Sequence, residues 1–258
     1  MTTGAEGMLN NATISKLRDM KLTSMAKMLA EQPESTAALS FEERLGLLVD
    51  AEWDARKTNR LKRLIRKAEY ACHGASLEDV EYHADRQLNK AQIASLGTCQ
   101  YIRDRHNLVL LGATGCGKTY LACAFGMAAN RLFLSARYVR LPDLLIDLAA
   151  ARISGTYSKV FTQYTKVSLL ILDEWLLYPL KEDEARDTME LIEARHKRGS
   201  TIICSQFPVT GWHKRIGEST LADAVCDRLI HDAYTLVIDG NDSMRKRKGI
   251  QPASSTQA

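Results

Sequence analysis

Eight consecutive residues, Gly112-Ala113-Thr114-Gly115-Cys116-Gly117-Lys118-Thr119, constrain the fold of this chain more than any other stretch. They follow a short apolar run at 107–111 and open a helical pattern, so G-x-x-x-x-G-K-T stands between a strand and a helix. A strand that enters a helix through a tight glycine loop belongs in a parallel sheet, whose neighbouring strands need crossover helices. Further apolar runs at 137–141, 168–172, 201–205 and 235–238 alternate with helical patterns, as such a sheet requires. The helix ends fit: Pro142 suits a first helical position, Arg195, Lys197 and Arg198 lead to a terminal Gly199, and Thr220 with Asp223 reads as a cap. The expected fold class is α/β, a parallel sheet flanked by helices.

With 258 residues the chain can build one large α/β domain and a small appendage. Apolar residues at 45% and charged residues at 26% match an ordinary folded protein. The N-terminus lacks a basic and apolar leader, and no apolar run approaches a membrane span, which predicts a cytoplasmic protein without a membrane partner. The six cysteines form no C-x-x-C pair and no ligand spacing with histidine, and read as reduced, mostly core thiols.

Residues 1–75 read as a small all-helical domain. Ile14, Leu17, Leu22, Met25, Met28 and Leu29 are spaced for a helix, Pro33 breaks it, and Ser40 with Glu43 forms a capping box for the next. Leu45, Leu47, Leu48 and Trp53 give that helix an apolar side. Beyond it, seven cations stand against two acids, Asp54 and Glu69, a net +5 on a chain whose total is only +4. Arg56, Arg60, Arg63 and Lys67 fall on one stripe, a candidate contact for the phosphates of double-stranded DNA. Residues 76–106 read as a linker with short helices, 107–242 as the sheet domain, and 243–258 as a basic, disordered tail.

The glycine loop carries the chemistry. Backbone N–H groups of 112–117 must wrap phosphate oxygens, and a side chain at the glycines would block that approach. Lys118 is placed to reach the β- and γ-phosphates of ATP, and the Thr119 hydroxyl to enter a magnesium shell, with Tyr120 next on the helix. The run Leu169-Leu170-Ile171-Leu172-Asp173-Glu174 is a buried strand ending in two acids. Adjacent carboxylates at a buried strand end call for a cation, so Asp173 is the expected metal ligand and Glu174 the base that activates water. Gln206 closes the run 201–206 either as a turn residue or as an amide between metal and γ-phosphate. Arg228, at the edge of an apolar helical face, calls for a partner: an internal bridge to Asp223 or Asp227, or the nucleotide of a neighbouring subunit.

Together these segments, with Leu45-Gly46-Leu47-Leu48, Ser205-Gln206-Phe207-Pro208-Val209, Asp227-Arg228-Leu229 and Ser243-Met244-Arg245, resemble the IstB-like ATP-binding proteins over nearly the whole chain. That family consists of AAA+ ATPases of the initiator and helicase-loader branch, similar to DnaC, encoded beside a transposase in bacterial insertion sequences. The resemblance implies an ATP-dependent homo-oligomer on target DNA that recruits or stimulates its cognate transposase. It implies nucleotide and magnesium roles for Lys118 and Thr119, metal and catalytic roles for Asp173 and Glu174, a sensor role for Gln206, and a trans-acting finger for Arg228. The tail after Ile238 is too short for a full helical lid, which leaves Arg245 as a candidate second phosphate sensor. The chain departs from the pattern at Ala113, where many such loops carry proline, and at Leu176, where glycine is expected. The rival readings are a DnaC-like replicative helicase loader, a small-molecule P-loop kinase, and a DNA-binding module that holds ATP as a static ligand.

Overall fold

The computed structural model describes residues 3–31, 38–240 and 244, with side chains from 11 onward. Pro33, Ser243, Arg245 and the rest of the basic tail apart from Met244 lie outside the described residues. The chain divides into two compact units, 1–63 and 64–258, and the division falls within one long helix.

The first unit holds helices α1 (Thr3–Asp19) and α2 (Thr23–Ala30) and most of α3 (Phe41–Ala68). Ile14, Leu17 and Ala26 form its buried centre, with Leu22, Met25 and Leu29 packed around them. The capping box opens α3 as its sequence dictates: the Ser40 N–H donates to Glu43 Oε2 at 2.8 Å and the Glu43 N–H to Ser40 Oγ at 3.2 Å. The expected apolar side is only partly used, since Leu45, Leu47 and Trp53 are exposed. Buried Glu52 packs instead. Leu22 offers no side-chain cap to α2, and Glu52 Oε2 accepts the α2 N–H groups of Ser24 (3.0 Å) and Met25 (3.3 Å). Arg56 completes this junction, its Nε 2.8 Å from Glu52 Oε1 and its Nη2 donating to the Lys21 carbonyl.

The second unit begins with the end of α3, continues through an irregular segment with a 3₁₀ turn at Ala84–Arg86, and then forms α4 (Lys90–Gly97) and α5 (Gln100–Arg103). Next come β1 (Asn107–Leu111), α6 (Lys118–Arg131), β2 (Ala136–Arg140), α7 (Leu141–Ile153), α8 (Tyr157–Thr165) and β3 (Leu169–Asp173). The unit continues with α9 (Glu182–Arg195), β4 (Ser200–Ser205), α10 (Trp212–Ile216), α11 (Ser219–Ile230) and β5 (Ala233–Val237). The strands are all parallel, in the order β2-β3-β4-β1-β5.

Alternation along the strands divides the core into two layers. Leu108, Leu110, Leu169, Ile171, Ile202 and Cys204 join the cluster around α6. Val109, Leu170, Leu172 and Ile203 join the cluster under α7, α9 and α11. The strand boundaries move slightly from those read in the sequence. Asp173 ends β3 because it pairs in register with Arg140, and β5 starts two residues early, at Ala233, where exposed Tyr234 and Thr235 leave no apolar pattern to read. Two expected helix signals differ. Lys197, not Gly199, takes the left-handed backbone after α9. Gly199 is favoured for another reason: a Cβ there would lie 3.0 Å from Arg195 Nη2, whose buried guanidinium is wired to the carbonyls of Tyr164, Thr165 and Val167. Thr220 is internal to α11, whose N-cap is Glu218 without a side-chain bond.

The cysteines are unpaired by disulfides, with five buried and Cys72 half-buried. No described helix is long and apolar enough to cross a membrane.

Candidate nucleotide site

In a parallel sheet the strands' C-terminal ends share one edge, and the loops leaving them meet there. The loop between β1 and α6 is drawn tightly against that edge. A Cβ on Gly112 would sit 2.3 Å from the Ile238 carbonyl oxygen and 2.8 Å from Cys116 Sγ, and Gly117 caps α6 at φ +100°. Both positions therefore demand glycine. Lys118 Nζ donates back into the loop, to the carbonyls of Gly112 (2.7 Å) and Ala113 (2.9 Å), so an ammonium lies in the cradle of Gly112, Ala113, Thr114, Gly115, Cys116 and Gly117. The N-terminus of α6 adds its positive dipole end.

Across the edge, the Thr119 hydroxyl donates to Asp173 Oδ2 at 2.7 Å. The other carboxylate oxygen, Oδ1, accepts the Glu174 N–H at 2.8 Å. Glu174 takes a left-handed backbone, φ 53°, which turns it out of the strand, and Arg140 Nη2 from the end of β2 holds its Oε2 at 2.6 Å. That bond raises the already high pKa of Arg140, so the guanidinium stays charged beside Glu174. The expected glycine site is also left-handed: Leu176 sits at φ 53°. A non-glycine residue is strained there, and full burial of its side chain, with Arg215 Nε donating to its carbonyl, offsets that strain. Gln206 follows β4 directly, and its Oε1 accepts the Thr114 hydroxyl at 2.7 Å, which brings the amide to the loop.

Beside the loop lies a cavity of about 460 Å³ lined by Ala71, Cys72, Val80, Tyr120, Leu121 and Met244. Its outer wall is the irregular segment after α3, tied down where Tyr120 OH exchanges hydrogen bonds with the Ser76 backbone. Arg86 clamps the same segment to the loop, donating to the carbonyls of Glu81 (2.6 Å) and Cys116 (2.9 Å). Sequence reasoning assigned no site role to this segment, nor to Tyr138 and Arg140 on β2. The only available signal was a tyrosine and an arginine spaced two apart on a strand, hence on one face.

The donor set fits magnesium held with a nucleotide. Magnesium is usually bound by one or two carboxylates, phosphates and water, not by a full protein cage. Thr119 and Asp173 provide a hydroxyl and one carboxylate, and among the described residues no group of three or more His, Cys, Asp or Glu is placed to hold a metal.

Arg228 stands apart from this edge. The carbonyls of Arg228 and Leu229 accept Asn107 Nδ2 at the start of β1, the opposite end from Gly112. Neither Asp223 nor Asp227 is its partner; Arg228 Nε bridges Glu193 of α9, while Asp223 faces His213. Helical spacing within α11 could not show this, because the partner comes from another helix. Arg56, Arg60, Arg63 and Lys67 all lie exposed along α3, with Arg56 engaged by Glu52.

A model of the family described as IstB-like ATP binding protein matches residues 15–252. The chain belongs to the IstB-like ATP-binding protein family. A Sinorhizobium fredii protein named as an insertion sequence ATP-binding protein is 41% identical over 243 residues, 93% of this chain and 99% of the relative. A Pseudomonas fluorescens protein named for ATP binding in insertion sequence IS1162 is 43% identical over 203 residues, covering 78% and 88% of the two chains. Among solved structures, the DnaC helicase loader matches with a TM-score of 0.55 at 18% identity, over 64% of this chain and 97% of its own. The AMPPCP-bound DnaA of Aquifex aeolicus matches with a TM-score of 0.53 at 19% identity, over 66% and 52%. The fold of the second unit is thus that of the AAA+ P-loop domains.

Proposed function

We propose that this chain is a magnesium-dependent ATPase that assembles with copies of itself on double-stranded DNA and assists a transposase. The observation that carries the ATPase reading is the meeting of Lys118, Thr119, Asp173 and Gln206 at one loop on the strand ends, with Glu174 next to Asp173. Magnesium with ATP supplies a phosphoryl group whose charge is partly neutralised. Loop N–H groups and Lys118 bind the phosphates, Asp173 and Thr119 orient the cation, and Glu174 accepts the proton of an attacking water. Gln206, held to the loop through Thr114, would sense the γ-phosphate. The transposition reading is supported by relatives named for insertion sequences at around 40% identity. Likeness to a helicase loader at 18% identity speaks for the fold alone.

Turnover measured with and without duplex DNA, for the wild type, Lys118→Ala and Glu174→Gln, tests this. Lys118→Ala is expected to lose nucleotide binding, whereas Glu174→Gln binds ATP and does not hydrolyse it. Full turnover by Glu174→Gln would remove Glu174 as the base. Phosphoryl transfer to a small molecule, indifferent to DNA, would favour a kinase.

A further inference from the structure

Three of the hydrogen bonds that Asp173 accepts come from different parts of the chain. Two are local to the nucleotide loop and strand end: the Thr119 hydroxyl on Oδ2 and the Glu174 N–H on Oδ1. The third comes from β2, where Tyr138 OH donates to the same Oδ2 at 2.8 Å. Tyr138 pairs in register with Ile171, two residues before Asp173, and its ring packs against the α6-side core cluster. A phenylalanine would supply that packing, so the hydroxyl is what calls for an explanation. A carboxylate oxygen only accepts, so in this contact the phenol is the donor.

A hydroxyl that donates to Asp173 keeps its lone pairs for a cation, so Thr119 can serve both. An aspartate that holds a metal through one oxygen or through water must present it at a fixed angle, and donors behind the ligand set that angle. We propose that Tyr138 is a positioning residue for magnesium: its phenol fixes the Asp173 carboxylate so that the cation shared with the nucleotide phosphates meets a pre-aimed ligand. This rests on the magnesium–nucleotide reading of the site above.

The test uses the full chain with Tyr138→Phe, and Asp173→Asn as reference. A fluorescent ATP analogue is titrated with and without magnesium, and melting is followed in parallel without either. Tyr138→Phe is expected to need about 10-fold more magnesium for half-maximal nucleotide binding, the lower end of losses seen when an outer-shell partner is removed. Its metal-free nucleotide affinity and its melting should match the wild type. A wild-type magnesium requirement in Tyr138→Phe, with Asp173→Asn shifted, overturns the positioning role and leaves the magnesium reading standing. No shift in either variant overturns both. Lower melting with an unchanged magnesium requirement also overturns it, since the hydroxyl would then serve stability alone.

Discussion

Arg228 shows how a residue's neighbours limit its chemistry. Its carbonyl meets Asn107 at the start of β1, and five residues of strand, about 16 Å at the usual rise, separate that point from the phosphate loop. An arginine side chain pinned to Glu193 does not span that distance, so any role in hydrolysis is exerted on another copy's nucleotide. Arg228→Ala is then expected to keep ATP affinity and lose turnover toward 10³-fold, the range for arginine fingers. Mixing it with Lys118→Ala should restore part of the activity, because each chain supplies what the other lacks. Absence of rescue, with equal losses in Arg228→Ala and Glu193→Ala, would reduce the pair to an internal strut. Sequence showed that Arg228 needs a partner but not which one. Its acid lies 35 positions away on α9, and only tertiary packing brings them together. Lys118, Thr119 and Asp173 were legible for the opposite reason: their geometry is built into one loop and one strand end.

At the scale of elements, α2 depends on a carboxylate it does not own. Glu52 of α3 accepts two N–H groups at the start of α2, and its pKa is lowered, by Arg56 above all and further by the Met25 and Ser24 amides, against an opposing effect of burial that ranks second to the Arg56 bond. A carboxylate with a depressed folded pKa contributes stability above its unfolded value, near 4.5, and that contribution fades as pH falls through the depressed value. Helical signal from the first unit should therefore decline on acidification by far-ultraviolet circular dichroism. Glu52→Gln should start lower at neutral pH and decline less. An acid profile identical to wild type would show that another group governs the transition. The capping box of α3 was readable because Ser40 and Glu43 are neighbours in sequence, whereas a cap lent across 28 positions leaves no local pattern. The same applies to β2, whose side chains reach Asp173 and Glu174 only through strand pairing.

For the whole molecule, the DNA reading divides the basic residues of α3 by what they hold. Arg56 supports Glu52, so its loss would disturb the first unit; Arg60, Arg63 and Lys67 are the remaining residues of the stripe. If each neutralises one phosphate, converting the three to alanine should flatten the dependence of log K on log salt by about 2.7 per subunit, with little sequence preference. Melting and DNA-free ATP turnover should stay near wild type. An unchanged slope would place the DNA contact elsewhere. The separation of Arg228 from its own loop has a further consequence, in symmetry. If one end of the sheet completes the catalytic edge of the next copy, the contact joins two different faces and a two-fold dimer cannot satisfy it. Copies then add head to tail, closing into a ring or continuing as a helix. In an open assembly one terminal copy keeps an unassisted nucleotide and the other an unused arginine, so hydrolysis would differ between the two ends and give the filament a direction.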